Sequence, residues 1–406
     1  MPVDQSSDVL IARQPIFDRG IHVVGYEILF RGEDLNEARL LNRSTATATV
    51  VLNSLTEIGL DRIVGTHMAW INVPRGFLLE GLADTLPPRA TCFEILEGEL
   101  IDDEMIQAIA ALKAKGYRIA LDDFELTDET ARLLPLADVV KLDYLMLGRD
   151  GMAEQVQQLR GHNVQLLAEK VETHADHAYC AALGCDLFQG FFYRKPELLS
   201  SRRIELSRGS VLQVIAALQN AELQFADIEP LIAHDVPLSL RLLRYINSAF
   251  FGLPHEVASV RQAMVLLGLA NIRRWASLTV LCSLEGRPSE LTTTALVRAR
   301  FCELAAPLLR RDGSELFTLG LFSLIDAMMD APLAEILDQI PFPQELQAAL
   351  LHHEGEMGAL LDCVGALEEG YFGDARSILP EAGELYVRAL IWANEAGGAL
   401  FATAGG

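Results

Sequence analysis

The sequence has no apolar run of the roughly 18 residues needed to span a bilayer, which argues against membrane insertion. Its first residues, "MPVDQSSDVLIARQP", lack a basic region followed by an apolar core and a small-residue cleavage site. We therefore expect a cytoplasmic protein. The sequence also contains no repeat of fixed period and no low-complexity tract, which excludes a repeat array.

Basic residues are scarce. The chain has 33 Lys and Arg against 56 Asp and Glu, and its formal net charge is −23. Because nucleic-acid binding draws most of its affinity from Lys and Arg that neutralise phosphates, this balance predicts no nucleic-acid partner.

Closely spaced cysteine pairs of the C-x-x-C type are absent as well. Most of the six cysteines lie inside apolar runs, which favours buried free thiols over a zinc site or disulfides. They are Cys92, Cys180, Cys185, Cys282, Cys302 and Cys363.

The 406 residues, half of them hydrophobic, are enough for two domains of roughly 200 residues each. In the first half, short apolar runs alternate with amphipathic helical patterns after an opening hairpin formed by "VLIARQPIF" and "IHVVGYEILF". This alternation predicts a parallel sheet covered by helices, and the number of strands suits a (β/α)₈ barrel. The strand candidates are "MAWINV", "TCFEIL", "YRIALDDF", "ADVVKLDYL", "VQLLAEKV" and "CDLFQGFFY".

The second half changes character, because nearly every segment after about residue 205 has helical periodicity. We therefore predict an α/β domain over residues 1–203 and an all-helical domain over 204–406. The polar stretch "LLSSRRIELSRGS" marks the boundary.

Polar residues recur at the carboxyl ends of the predicted strands. One charged group in an apolar strand is usually a local defect, but seven strands share this feature, and a barrel gathers the ends of its strands at one mouth. Carboxylates gathered there could not all stay ionised and unpaired. Oxygen ligands without Cys or His indicate Mg²⁺ or Mn²⁺, and the adjacent pair Asp122–Asp123 would let two ions act on a phosphodiester. The residues are Glu27, Asn72, Glu94, Asp122, Asp123, Lys141, Glu169 and Gln189.

Eight ordered motifs give the first half a specific resemblance to the EAL domain, a family of cyclic di-GMP phosphodiesterases. They are "RQPIFD", "YEILFR", "INV", "FEILE", "ALDDF", "VVKLD", "LLAEKVET" and "FQGFFYRKP". The chain as a whole resembles bacterial signalling proteins that combine an EAL domain with an HDOD domain. The resemblance implies an EAL-type (β/α)₈ TIM-like barrel followed by a helical HDOD domain.

The resemblance also implies roles for individual residues. Lys141, Glu169 and Glu27 match catalytic positions, and Lys141 would orient and activate the attacking water. Gln14, Arg31 and Gln189 match substrate-binding positions, and Glu172 matches the residue that anchors the loop after the aspartate pair. Six residues match the ligands of two Mg²⁺ or Mn²⁺ ions, namely Glu27, Asn72, Glu94, Asp122, Asp123 and Glu169.

Two readings of the barrel remain open. In the first, it is an active metal-dependent phosphodiesterase that opens cyclic di-GMP to linear pGpG. In the second, it has weak or no turnover and serves to bind cyclic di-GMP or acts only as a scaffold. The second reading is favoured by the glycine-free loop "DDFELTDETARLLP" and by Lys170, which stands where the family usually has glycine. Changes in the residues that support metal ligands reduce affinity or rate about 10–100-fold each.

The segment "DVPLSLRLLRYINSAFFGLPHEVASVRQAMVLLGLANIRRW" resembles the HDOD domain, a relative of the HD metal phosphohydrolases. Those hydrolases need His and Asp side by side on a helix, but the matching helix here carries Ser323 and Leu324 in "TLGLFSLIDAMM". We therefore expect a non-catalytic domain that binds other signalling proteins. A homodimer stays open.

Overall fold

The computed structural model describes residues 10–31, 58–195, 259–282, 289–340 and 342–401, together with residues 242, 246 and 257. The chain divides into two compact units. Unit 1 is Met1–Lys195 with Gly365–Val387, and unit 2 is Pro196–Val364 with Arg388–Gly406. Residues 365–387 thus group with the first half of the chain, and domain bounds of 1–203 and 204–406 remain a proposal.

Unit 1 contains a closed eight-stranded barrel in which the strands follow one another in chain order. Strand β1 runs antiparallel to both of its neighbours, β2 and β8, and the remaining neighbours are parallel. The predicted barrel and its opening hairpin are confirmed. The strands are β1 (Leu10–Asp18), β2 (Val23–Arg31), β3 (Met68–Val73), β4 (Thr91–Ile95), β5 (Arg118–Leu121), β6 (Val139–Asp143), β7 (Gln165–Glu169) and β8 (Leu187–Gln189).

The helices between the strands begin at side chains that cap them. Asp102, Asp143 and Thr173 each accept a hydrogen bond from a backbone N–H in the first turn of the following helix. The helices are α1 (Leu60–Val64), α2 (Arg75–Leu79), α3 (Asp103–Ala114), α4 (Tyr144–Leu159, interrupted at Gly148) and α5 (His174–Leu183). Short 3₁₀ turns lie at Leu82–Thr85, Pro88–Ala90, Thr130–Arg132 and Phe192–Arg194.

The barrel interior explains how the site residues come together. Successive side chains of a strand point to opposite faces, so residues two apart share the interior. A buried cluster fills the barrel and is formed by Ile16, Trp70, Cys92, Ala120, Val139, Leu167 and Leu187. Two residues further along six of the strands, the same inward face presents Asn72, Glu94, Asp122, Lys141, Glu169 and Gln189.

The rest of the described chain is helical, as predicted for the second half. The helices are α6 (Val260–Cys282, interrupted at Gly268), α7 (Ser289–Leu309), α8 (Gly313–Phe322), α9 (Ile325–Met329), α10 (Leu333–Leu337), α11 (Gln344–His352), α12 (Gly355–Glu368), α13 (Phe372–Ile378) and α14 (Ala382–Phe401). The helices predicted at "SVLQVIAALQ" and "DIEPLIAHD" lie outside the described residues. Among the described helices, none combines the length and apolar character needed to cross a membrane.

The prediction of buried free thiols is confirmed for five of the six cysteines. Cys92, Cys180, Cys185, Cys302 and Cys363 are buried and free. The side chain of Cys282 falls outside the described part of the chain.

Candidate active site at the barrel mouth

Lys141 lies at the centre of the barrel mouth, where it is only 1% exposed. Its Nζ lies 2.7 Å from Glu94 Oε2, 2.9 Å from Asp122 Oδ1, 2.9 Å from Glu169 Oε1 and 3.3 Å from Glu27 Oε2. One ammonium group is therefore surrounded by four carboxylates, each carried by a different strand or by the residue directly after it. Fully ionised, this group of five side chains carries an excess of negative charge.

Glu27 links the carboxylates to two side-chain amides. Its Oε1 accepts a hydrogen bond from Asn72 Nδ2 at 2.8 Å, and its Oε2 accepts one from Gln189 Nε2 at 2.7 Å. Gln189 Nε2 also donates to Gln14 Oε1 at 3.0 Å. The structure thus brings Gln14, Asn72 and Gln189 to the acidic cluster, although they come from distant parts of the sequence.

The donor atoms at the mouth fit divalent cations. Asn72 Oδ1 and Glu94 Oε1 are buried without a hydrogen-bond partner among the described residues, which is costly for a polar atom unless it binds a ligand. Carboxylate oxygens of Asp122, Asp123 and Glu169 lie within 4.8 Å of one another and could hold an ion together. Amide and carboxylate oxygens are the ligands that Mg²⁺ and Mn²⁺ prefer.

The burial of these acids changes their ionisation. Burial, together with the charge of Glu27, raises the pKa of Glu94 well above its usual value. Burial also raises the pKa of Glu169 to about 8, with Asp122 and Glu27 adding to the shift and Lys141 opposing it. For Lys141, burial would lower the pKa, but the surrounding carboxylates overcome this and raise it well above the ordinary lysine value. Without cations, the site therefore keeps its lysine charged and holds protons on some of its acids.

Two residues at the mouth have left-handed backbone conformations. Asp123 has φ of 42° and Lys170 has φ of 54°. This region is favourable for glycine and strained for lysine, so the backbone at position 170 is of the kind that glycine adopts most readily. Lys170 Nζ pairs with the buried carboxylate of Asp143, and this contact holds the lysine in place.

The other predicted site residues are placed as follows. Arg31 ends β2, and its side chain lies outside the part of the chain that the structure describes. The side chain of Glu172 is 56% exposed, and its Oε2 lies 3.6 Å from Lys195 Nζ. The roles of Arg31 in substrate binding and of Glu172 as a loop anchor remain predictions.

Sequence reasoning missed three residues near the site. Asp143 caps α4 and binds Lys170; its place two residues after Lys141 in "VVKLD" was a signal that it faces the same side of β6. Arg194 and Glu368 form a buried ion pair with Nη2 and Oε2 2.9 Å apart. No local pattern connects those two positions, because they lie 174 positions apart.

In unit 2, the predicted single helix over "ELFTLGLFSLIDAMM" is broken between α8 and α9 at Ser323 and Leu324. Ser323 Oγ donates to the carbonyl of Gly320 and accepts from Arg298 Nη1 at 3.1 Å, and such a backbone contact competes with helix continuation. Ser323 and Leu324 therefore offer no His–Asp pair for a metal at this position.

Comparison with known proteins agrees with both halves of the chain. A family model of the EAL domain matches residues 75–196, and one of the HDOD domain matches residues 207–331. The cyclic di-GMP phosphodiesterase CdgJ of Vibrio cholerae is 32% identical over 365 residues, which cover 88% of this chain and 84% of CdgJ. YuxH of Bacillus subtilis is 30% identical over 401 residues, which cover 95% of this chain and 98% of YuxH. A structure of Klebsiella pneumoniae BlrP1 with calcium and cyclic di-GMP has 24% identity and a TM-score of 0.38, and the match covers 45% of this chain and 54% of BlrP1.

The closed barrel with its acidic mouth is of the EAL type. With an HDOD match following it and relatives that align along most of their length, the chain belongs to the family of proteins that join an EAL domain to an HDOD domain.

Proposed function

We propose that the barrel mouth binds cyclic di-GMP together with two Mg²⁺ or Mn²⁺ ions and hydrolyses one phosphodiester bond to give linear pGpG. The observation that carries this proposal is the convergence of four carboxylates on Lys141, with two buried oxygens left unpartnered. The name of CdgJ, a cyclic di-GMP phosphodiesterase, supports the choice of substrate.

The proposed ligands of the ions are Glu27, Asn72, Glu94, Asp122, Asp123 and Glu169. Divalent cations would neutralise these acids and stabilise the charge that develops on the phosphodiester. Lys141 would then be free to donate hydrogen bonds to the attacking water or to a phosphate oxygen. Glu27 joins the two halves of the site, because it contacts Lys141 and also Gln189.

Gln14 and Gln189 would bind the nucleotide. Gln189 Oε1 is buried without a hydrogen-bond partner among the described residues, so it is available to accept a hydrogen bond from a ligand N–H. A guanine base offers such donors. Arg31 would contact a phosphate of the same nucleotide.

A second candidate is a sensor that binds cyclic di-GMP without useful turnover. The observation in its favour is Lys170, whose charge lies beside Glu169 and which is fixed by Asp143 in a strained conformation. A cation at this position competes electrostatically with a divalent ion. Lower metal affinity would then leave binding intact and slow hydrolysis.

Incubation of the full-length protein with cyclic di-GMP and Mn²⁺, followed by chromatography, tests these candidates. Formation of pGpG that Asp122→Asn abolishes and Asp103→Asn preserves supports the phosphodiesterase; Asp103 is an exposed acid paired with Arg132 away from the cluster. Binding without pGpG supports the sensor. Absence of both binding and product would contradict both candidates.

For the second half of the chain, we propose a non-catalytic domain that binds other signalling proteins. Ser323 and Leu324 in place of a metal-binding pair support this role. The domain bounds 1–203 and 204–406, a cytoplasmic location and a homodimer belong to the same proposal.

A further inference from the structure

The end of helix α12 lies at the nucleotide side of the barrel mouth. The last residue of α12 is Glu368, and it is 354 positions away from Gln14 in sequence but belongs to the same compact unit. Gln14 Nε2 donates a hydrogen bond to the backbone carbonyl of Glu368 at 3.1 Å. Carbonyls in the last turn of a helix lack intrahelical partners, so Gln14 satisfies a group that α12 leaves open.

This contact completes a hydrogen-bonded chain whose direction is set by the carbonyl of Glu368, which can only accept hydrogen bonds. Gln14 must therefore present its Nε2 to that carbonyl, which leaves Gln14 Oε1 to accept from Gln189 Nε2 at 3.0 Å. The same Nε2 of Gln189 also donates to Glu27 Oε2 at 2.7 Å. Rotating either amide by 180° would oppose two acceptors or two donors.

A buried ion pair holds the end of α12 at this place. Glu368 Oε2 lies 2.9 Å from Arg194 Nη2, and the two side chains are 3% and 11% exposed. Arg194 follows β8, packs against the ring of Phe191 with 4.3 Å between guanidinium carbon and centroid, and donates to Tyr193 Oη at 3.1 Å. Its burial would lower the pKa of Arg194, but the charge of Glu368 outweighs this and raises it. The pair thus ties the last turn of α12, which belongs to unit 1, to the turn that follows β8.

The neighbouring residues of the same segment pack on the hairpin of β1 and β2. A Cβ on Gly383 would lie 1.9 Å from Leu10 Cδ2, and a Cβ on Gly370 would lie 3.0 Å from Leu29 Cδ1. Strand β1 pairs with β2 from Leu10 onward but with β8 only from Ile16, so this part of the hairpin extends past the barrel. Residues 365–387 cover that extension.

We propose that Glu368 is a positioning residue of the nucleotide site, which acts through its carbonyl on Gln14 and through its ion pair with Arg194. The proposal rests on the proposed function of the mouth, since it assigns Gln14 and Gln189 to nucleotide binding. Through Glu368, the segment of residues 365–387, which follows the HDOD match in sequence and belongs to unit 1, becomes part of the site in the EAL barrel. An EAL domain defined by the first 203 residues alone lacks this part.

The test uses the full-length protein that carries both Arg194→Met and Glu368→Met. Its affinity for cyclic di-GMP and its affinity for Mn²⁺ are measured separately. Removing both charges with side chains of similar volume avoids an unpaired buried charge, so the variant should fold. We expect a rise of about 5- to 20-fold in the Kd for cyclic di-GMP and a Kd for Mn²⁺ within about twofold of the unmodified protein. The control replaces Arg19 and Asp186 by Met, since this more exposed ion pair of 3.1 Å joins the residue after β1 to the residue before β8, away from the mouth. It should change neither affinity.

The outcomes separate the positioning role from the proposed function. Unchanged cyclic di-GMP affinity in the Arg194 and Glu368 variant would overturn the positioning role and leave the proposed function intact. A parallel loss of cyclic di-GMP affinity, Mn²⁺ affinity and thermal stability would show a structural role only and would also overturn it. Absence of cyclic di-GMP binding by the unmodified protein would overturn both proposals.

Discussion

Replacing Lys141 by Met removes the charge around which Glu27, Glu94, Asp122 and Glu169 are arranged. Breaking a buried ion pair by removing one partner costs about 3 to 5 kcal/mol, because the remaining charge stays buried without compensation. Lys141 is almost completely buried, so the upper part of this range applies when the acids are ionised. A loss of this size is a large fraction of the 5–15 kcal/mol that stabilises a typical domain.

The assay is thermal unfolding of the full-length protein in EDTA and then in Mn²⁺. In EDTA, we expect the barrel transition of Lys141→Met to fall by about 10 °C, since 1 kcal/mol corresponds to roughly 2–4 °C for a domain of this size. Mn²⁺ should stabilise the variant more than the unmodified protein, because cations then supply the missing positive charge. The loss of thermal stability in EDTA should also be larger at pH 8 than at pH 6, because at pH 6 more of the acids are protonated and no longer repel one another.

Lys113→Met serves as the control. Lys113 pairs with Asp138 at 2.8 Å, but both side chains are about 30% exposed, and such pairs contribute about 0–1 kcal/mol. If Lys141→Met in EDTA unfolded within 2 °C of the unmodified protein at pH 8, the four carboxylates would not depend on Lys141, and the reasoning would be refuted.

Three further predictions concern the same mouth. Burial raises the pKa of Glu169 to about 8 from a usual 4.5, so the folded protein keeps a proton that the unfolded chain releases. The free energy of unfolding in EDTA should therefore fall by up to about 5 kcal/mol as the pH rises from about 5 to above 8. A denaturant series in which Glu169→Gln leaves this pH dependence unchanged would contradict the prediction. Lys170→Gly should raise the affinity for Mn²⁺ several-fold in calorimetry, because it removes a positive charge beside the acids and suits the left-handed backbone. The control Lys195→Ala should leave this affinity unchanged. Equal or weaker Mn²⁺ binding by the Lys170 variant would contradict the claim that the Lys170 charge competes with the metal ion. Gly190→Ala should lower the free energy of unfolding by about 2 kcal/mol or more in denaturant titration. The reason is that φ at Gly190 is 143° and a Cβ there would lie 2.2 Å from Val171 O. Unchanged stability would contradict this, because it would show that the turn tolerates a side chain.

The sequence predicted the barrel and its mouth because both depend on short-range patterns. Each strand is a short apolar run, and the period of two residues that places Ala120 inside the barrel also places Asp122 at its mouth. The same reasoning applies to Lys141 after Val139 and to Glu169 after Leu167. Family resemblance then supplied the predicted roles of individual residues, which pattern alone does not reveal.

What the sequence did not reveal depends on contacts between distant positions. The pairing of Glu368 with Arg194 and the contact of its carbonyl with Gln14 leave no periodic signal, because they arise from the packing of one segment on another. The left-handed backbone of Lys170 is similar, because the side chain is held by a contact with Asp143, 27 positions away in the sequence. Breaks inside long helical patterns, as at Gly268 and Ser323, also escape a reading based on hydrophobic period.

Crystals of the full-length protein grown with Mn²⁺ and measured at the manganese absorption edge test the central claim most directly. We expect anomalous density at the barrel mouth within about 2.5 Å of oxygens from Glu27, Asn72, Glu94 and Asp122, and loss of that density in Asp122→Asn. Fully ordered side chains at the mouth with no anomalous density at saturating Mn²⁺ would contradict the claim that these acids form a metal-binding active site.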